Sequence, residues 1–147
     1  MKRTTALYIA WTQSVVATAG SLYASQILHW VPCVLCWYQR IFMYPLILVI
    51  GACIAREVED VEYIVWPMSI IGICISFYHN LLMYKILPES FAPCTASASC
   101  VIPYHFFLNF LTLPLLAFTA FLVINVCMLV YHNGMKKQRL AAADISE

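Results

Sequence analysis

Four apolar runs, residues 6–28, 37–55, 63–84 and 106–131, fix most of what this chain can become. They are 19 to 26 residues long, and about 20 helical residues cross the hydrocarbon core of a bilayer. The runs are continuous rather than alternating with period two, so they read as helices and not as barrel strands. With 63% hydrophobic and 10% charged side chains in 147 residues, the chain lacks the polar shell that a soluble domain of this size needs. Lipid must be part of its solvent. The predicted fold is an all-α membrane protein, a four-transmembrane-helix bundle forming a single integral membrane domain over residues 1–147.

Charge agrees with that division. Of fifteen Lys, Arg, Asp and Glu residues, fourteen lie outside the four runs, and the exception is Arg40. Lys and Arg favour the cytoplasmic side of short loops. Four crossings put Lys2, Arg3, Arg56, Lys136, Lys137 and Arg139 on one side, against Arg40 and Lys85 on the other. Both termini are therefore predicted to be cytoplasmic, and the loops 29–36 and 85–105 extracytoplasmic. A net charge of +1 with no basic patch in a soluble segment argues against a nucleic-acid partner. Met1-Lys2-Arg3 before an apolar stretch also resembles the start of a signal peptide. However, Ser14, Thr18, Ser21 and Ser25 recur at helical spacing, a small polar stripe suited to packing between membrane helices. That favours a retained first span. Pro45 and Pro114 fall within spans, where neighbouring helices can satisfy the backbone groups they free.

The seven cysteines fall into two classes. Cys53, Cys74 and Cys127 lie inside apolar runs, where a cysteine behaves as a small hydrophobe. Cys33, Cys36, Cys94 and Cys100 lie in the two outer loops, in a compartment where disulfides form and persist. Cys33-Val34-Leu35-Cys36 is a CxxC at the start of the second span. A helix N-terminus there directs partial positive charge at the sulfurs and favours thiolate, the reactive form. Arg40 follows Cys36 by four residues and Cys33 by seven, on the same helical face. An arginine at the centre of a membrane helix costs roughly 2.5–3.5 kcal/mol and usually marks function. Snorkelling to the headgroups is the bland alternative. His79, near the outer end of the third run, is predicted at similar depth, where it is either a donor to a quinone carbonyl or an interfacial histidine. Cys94 and Cys100 enclose five small or polar residues, an exposed loop suited to disulfide exchange more than to stabilisation.

Pro32-Cys33-Val34-Leu35-Cys36-Trp37-Tyr38-Gln39-Arg40 closely resembles the bacterial disulfide bond formation B family, DsbB. His79 and the later Phe91-Ala92-Pro93-Cys94 fit the same pattern, and the compact chain with its short second pair resembles the BdbC branch. The resemblance implies two redox-active pairs, Cys33–Cys36 and Cys94–Cys100. It further implies a thioredoxin-fold thiol oxidase of the DsbA or BdbD kind as partner, and ubiquinone or menaquinone as electron acceptor held near Arg40, with His79 assisting. It places the protein in the bacterial cytoplasmic membrane, with the redox cysteines on the extracytoplasmic face. The extra amphipathic segment that longer members carry in the second outer loop is absent here.

Three other readings compete. A vitamin K epoxide reductase-like enzyme would carry its CxxC in the last helix rather than the second. A four-cysteine zinc site would make the chain structural or metal-handling. A passive scaffold with two disulfides would leave Arg40 without a reason. Haem attachment fails because Trp37, not His, follows Cys36.

Overall fold

The computed structural model describes residues 3–88 and 112–145. Four helices make up this region: α1 (Arg3–Gln26), α2 (Val34–Arg56), α3 (Glu62–Met83) and α4 (Leu113–Ile145). Each packs against its two neighbours in the ring α1–α2–α3–α4, and α2 touches α4 slightly across the diagonal. Leu46, Ile50, Val65, Phe121, Ile124 and Met128 meet in the centre, almost fully buried. Leu48, Ile41, Ile70, Val126 and Leu129 point outward and are more than half exposed. Apolar side chains on both the inner and outer faces are what a bundle in lipid requires.

Helices α2, α3 and α4 are long and apolar enough to cross a membrane. The expected first span is present as a helix of 24 residues, but it is more polar than the others. The packing gives the reason. Ser14 and Thr18 face the interior, and Ser21 is taken up by contacts from α2. The polar stripe of α1 therefore serves helix–helix contacts.

Small residues let the helices approach. On α3, Ser69, Gly72 and Ser76 line one face, and a Cβ on Gly72 would run into the Phe121 ring of α4. Between α1 and α2, the Trp11 indole lies over Gly51 and donates to the Ile47 carbonyl at 3.1 Å. Such close approaches hold membrane helices together where no hydrophobic force acts between them.

Several boundaries differ from the apolar runs, two of them with consequences for the packing and the site. Helix α2 begins at Val34 rather than 37, so the last three residues of the predicted 29–36 loop are already helical. Helix α4 continues fourteen residues beyond the end of its apolar run, to Ile145. Its tail is rich in Lys, Gln, Arg, Leu and Ala, all good helix formers, and helix propensity does not depend on hydropathy. At that end His132 Nδ1 donates to the buried Glu62 Oε1 at 3.0 Å. Arg139 also reaches Asp60 at 2.7 Å, so α4 is clasped to the turn before α3.

Candidate functional site

Cys33 is the N-cap of α2. Its backbone is extended (φ −71°, ψ 171°), and its sulfur accepts the Cys36 backbone N–H at 3.4 Å. Capping by a side-chain acceptor satisfies one of the donors that a helix start leaves open. Pro32 sits just before the cap, and Val34 starts the helix. One turn in, Cys36 brings its Sγ to 3.0 Å from Cys33 Sγ. Both cysteines are free thiols, Cys33 buried and Cys36 half-buried.

Helix α3 supplies the next layer. His79, 1% exposed, places Nε2 at 3.7 Å from Cys33 Sγ. Its other ring nitrogen, Nδ1, lies 3.2 Å from the Gln39 amide nitrogen. Gln39 is itself buried on α2. The predicted neighbours thus separate: His79 faces Cys33, and it is absent from the lining of the cavity around Arg40.

The Cys36 thiol, hydrogen-bonded to Cys33, pulls the Cys33 thiol down to about 4 against the opposing effect of burial, with His79 helping. Cys33 is therefore a thiolate above about pH 4, and loses that form as pH falls through that value. In the reduced protein, alkylation of the Cys33 peptide followed by mass spectrometry should already run near its plateau rate at pH 6. An ordinary thiol, with a pKa near 8.5, would be almost fully protonated there. A rate that climbs through pH 8–9 would show that Cys33 is not the activated sulfur.

Arg40 lies one turn below Cys36 and turns inward. Its Nε donates to Ser21 Oγ at 2.9 Å, and its Nη2 donates to the Ser21 carbonyl at 3.1 Å. Tyr44 Oη adds a 3.4 Å bond to the same Ser21 hydroxyl. The guanidinium also stacks over Trp37, 5.4 Å from the ring centre, a favourable cation–π distance. Arg40 is anchored on α1 by its bonds to Ser21. It lines a cavity of about 270 Å³ between α1, α2 and α4, together with Cys36, Gln39, Tyr44, Trp30 and Phe121. Cys33 does not line it. The two thiols thus have different neighbours: Cys36 opens on the cavity and Cys33 on His79.

Cys33, Cys36 and His79 also form the group whose ligand atoms all lie within 4.8 Å of one another. Cys94 and Cys100 lie outside the described residues. Sequence reasoning gave no role to Gln39 and treated Ser21 only as a packing residue. The available signal for Gln39 was an amide inside an apolar run, three residues after Cys36.

Residues 2–133 match the family described as "Disulfide bond formation protein DsbB". The chain belongs to this family. Relatives include the "Disulfide bond formation protein C" of Bacillus subtilis (strain 168), 40% identical over 122 residues, covering 83% of this chain and 88% of the relative. The "Probable disulfide formation protein C 1" of Bacillus anthracis is 38% identical over 129 residues, covering 88% of this chain and 93% of its own length. The "Probable disulfide formation protein" of Deinococcus radiodurans is 39% identical over 133 residues, covering 84% and 86%. No solved structure matches the chain. Membership of the DsbB family, with apolar helices of spanning length, makes this a membrane thiol–disulfide oxidoreductase with a role in disulfide bond formation.

Proposed function

We propose that this DsbB-family protein reoxidises an extracytoplasmic thioredoxin-fold thiol oxidase and passes the electrons to a membrane quinone, ubiquinone or menaquinone. The observation that carries the reading is the division of the CxxC: Cys36 lines the Arg40 cavity, while Cys33 does not line it and meets His79. At about 270 Å³ the cavity lies just below the about 300–1,000 Å³ range of ligand sites. It suits a ring headgroup whose isoprenoid tail continues into lipid, and its mostly apolar wall with one guanidinium suits a ring with polar oxygens. A bound quinone supplies a two-electron, two-proton acceptor.

The chain's own residues do the rest. A thiolate of the reduced partner attacks the Cys94–Cys100 disulfide, and the partner's second thiolate resolves the mixed disulfide. The partner leaves oxidised, and Cys94 and Cys100 become a dithiol. One of these thiolates attacks Cys33 in the Cys33–Cys36 disulfide, expelling Cys36 into the cavity. The other resolves the mixed disulfide, so that Cys94–Cys100 closes and Cys33–Cys36 is reduced. Closure of Cys33–Cys36 then releases two electrons and two protons at the cavity. Arg40, which lines that cavity, would stabilise the negative charge that builds on the acceptor, in a low-dielectric setting where a fixed cation acts strongly. The four spans orient this face away from the cytoplasm, with both termini on the cytoplasmic side of the bacterial cytoplasmic membrane and residues 1–147 forming one domain. In support, Arg56, Lys136, Lys137 and Arg139 gather at the end of the bundle opposite Cys33.

Zinc binding is the second reading, favoured by the Cys33, Cys36 and His79 group. Two thiolates on one tetrahedral zinc, with Zn–S bonds of about 2.3 Å, would stand about 3.8 Å apart. The 3.0 Å separation of Cys33 Sγ and Cys36 Sγ is closer than that.

Cys94→Ser and Cys100→Ser separate the two halves of the relay. Each should reduce turnover with a reduced thioredoxin-fold oxidase to background, while quinone reduction driven by a small dithiol through Cys33–Cys36 continues. Full turnover with the protein donor in either variant would remove the second pair from the path.

A further inference from the structure

Gln39 has a buried side chain in the middle of a lipid-facing sequence, and an unpaired amide there is costly. Its amide nitrogen lies 3.2 Å from His79 Nδ1, and His79 Nε2 lies 3.7 Å from Cys33 Sγ. The three side chains thus form a line across the α2–α3 interface, ending at the capping sulfur. All three are buried: Gln39 7% exposed, His79 1% and Cys33 5%. In a neutral imidazole one nitrogen carries the proton and the other accepts, and the partner of one nitrogen decides the state of the other. An amide N–H directed at Nδ1 makes Nδ1 the acceptor and leaves the proton on Nε2, facing Cys33.

We propose that Gln39 is a positioning residue that holds His79 in its Nε2–H form, so that the ring donates to the Cys33 sulfur. This rests on the reading of Cys33–Cys36 as the working redox pair and assigns a division of labour within it. Arg40 and the cavity serve Cys36, whereas Gln39 and His79 serve Cys33. Three donors then converge on Cys33: the Cys36 thiol, the Cys36 backbone N–H and the His79 ring. Hydrogen bonds to the charged form are what stabilise a thiolate, and the lowered titration of Cys33 is consistent with that convergence. Among the described residues, the charged or titratable groups facing the pair are Cys36 and Arg40 on α2 and His79 on α3. A glutamine suits the position better than a carboxylate. Its neutral amide can donate to Nδ1, whereas a carboxylate only accepts and would draw the ring proton to Nδ1.

The test is nitrogen NMR of the four histidines, ring-labelled, in the full-length reduced protein in detergent, with the His79 signal assigned by its loss in His79→Asn. The wild type should show His79 protonated at Nε2 and bare at Nδ1. Gln39→Glu should move a proton onto Nδ1. Gln39→Leu should give mixed tautomers and raise the midpoint of Cys33 alkylation by about one pH unit, the order expected when one hydrogen bond to a charged sulfur loses its alignment. Wild-type His79 protonated at Nδ1 would overturn the proposal. So would an unchanged spectrum and an unchanged alkylation midpoint in both variants, which a merely structural glutamine would give. Quinone reduction is measured separately on the wild-type sample, because Gln39 itself lines the cavity. Its absence alongside the expected tautomer would count against the quinone reading and not against the positioning of His79.

Discussion

Cys36→Ser should lower quinone reduction by more than about a thousandfold, the scale of loss when an enzyme is deprived of its reacting group. The fold should survive. Cys36 is only half-buried, serine is nearly its shape, and the backbone N–H of residue 36 still bonds to the capping Cys33 sulfur. The change leaves Cys33 without a sulfur to close on, so two electrons have no route out of the pair. It also removes the largest influence holding the Cys33 thiol low. The alkylation midpoint of Cys33 should therefore rise together with the loss of activity. A Cys36→Ser protein that turns over normally would remove the CxxC from the chemistry.

Arg40→Met should act differently. Methionine keeps the length and the apolar stem but loses the charge, the two bonds to Ser21 and the stacking on Trp37. A hydrogen bond to a charged group is worth about 1.5–3 kcal/mol, so the apparent KM for quinone should rise about ten- to a hundredfold. The exchange between Cys94–Cys100 and Cys33–Cys36 should continue, because neither Cys33 nor His79 bonds to Arg40. Steady-state kinetics against quinone concentration, with thiol trapping of the two pairs, separates these effects. An unchanged KM would return Arg40 to a structural role as the tie between α1 and α2.

Much of this arrangement is legible in the sequence because it follows from local rules. Apolar length marks the helices. The spacing of Cys33, Cys36 and Arg40 sets their depth, and the charge of residues 136–139 marks one end. The rest depends on how helices rotate against one another, which no single segment encodes. Cys36 and Cys33 share a helical turn, yet only Cys36 lines the Arg40 cavity, while Cys33 meets His79 of α3. His79 has the depth expected for it, but the rotation of α3 turns its ring to Cys33 and away from the cavity. Gln39 carries no motif of its own until α3 brings His79 beside it. The clasp between Glu62 and His132 joins residues seventy apart, and only packing brings them together. The polar character of α1, the least apolar of the four helices, becomes intelligible once Ser21 is seen holding Arg40.

The most direct measurement mixes the purified, fully reduced protein with a stoichiometric quinone analogue under anaerobic conditions. Quinone absorbance is followed, and the Cys33 and Cys36 thiols are counted by trapping, with bound zinc measured on the same sample. One Cys33–Cys36 disulfide formed for each quinone reduced, in metal-free protein, is the expected result. Quinone that stays oxidised while both thiols remain, with zinc bound to the protein, would replace electron transfer with a metal site.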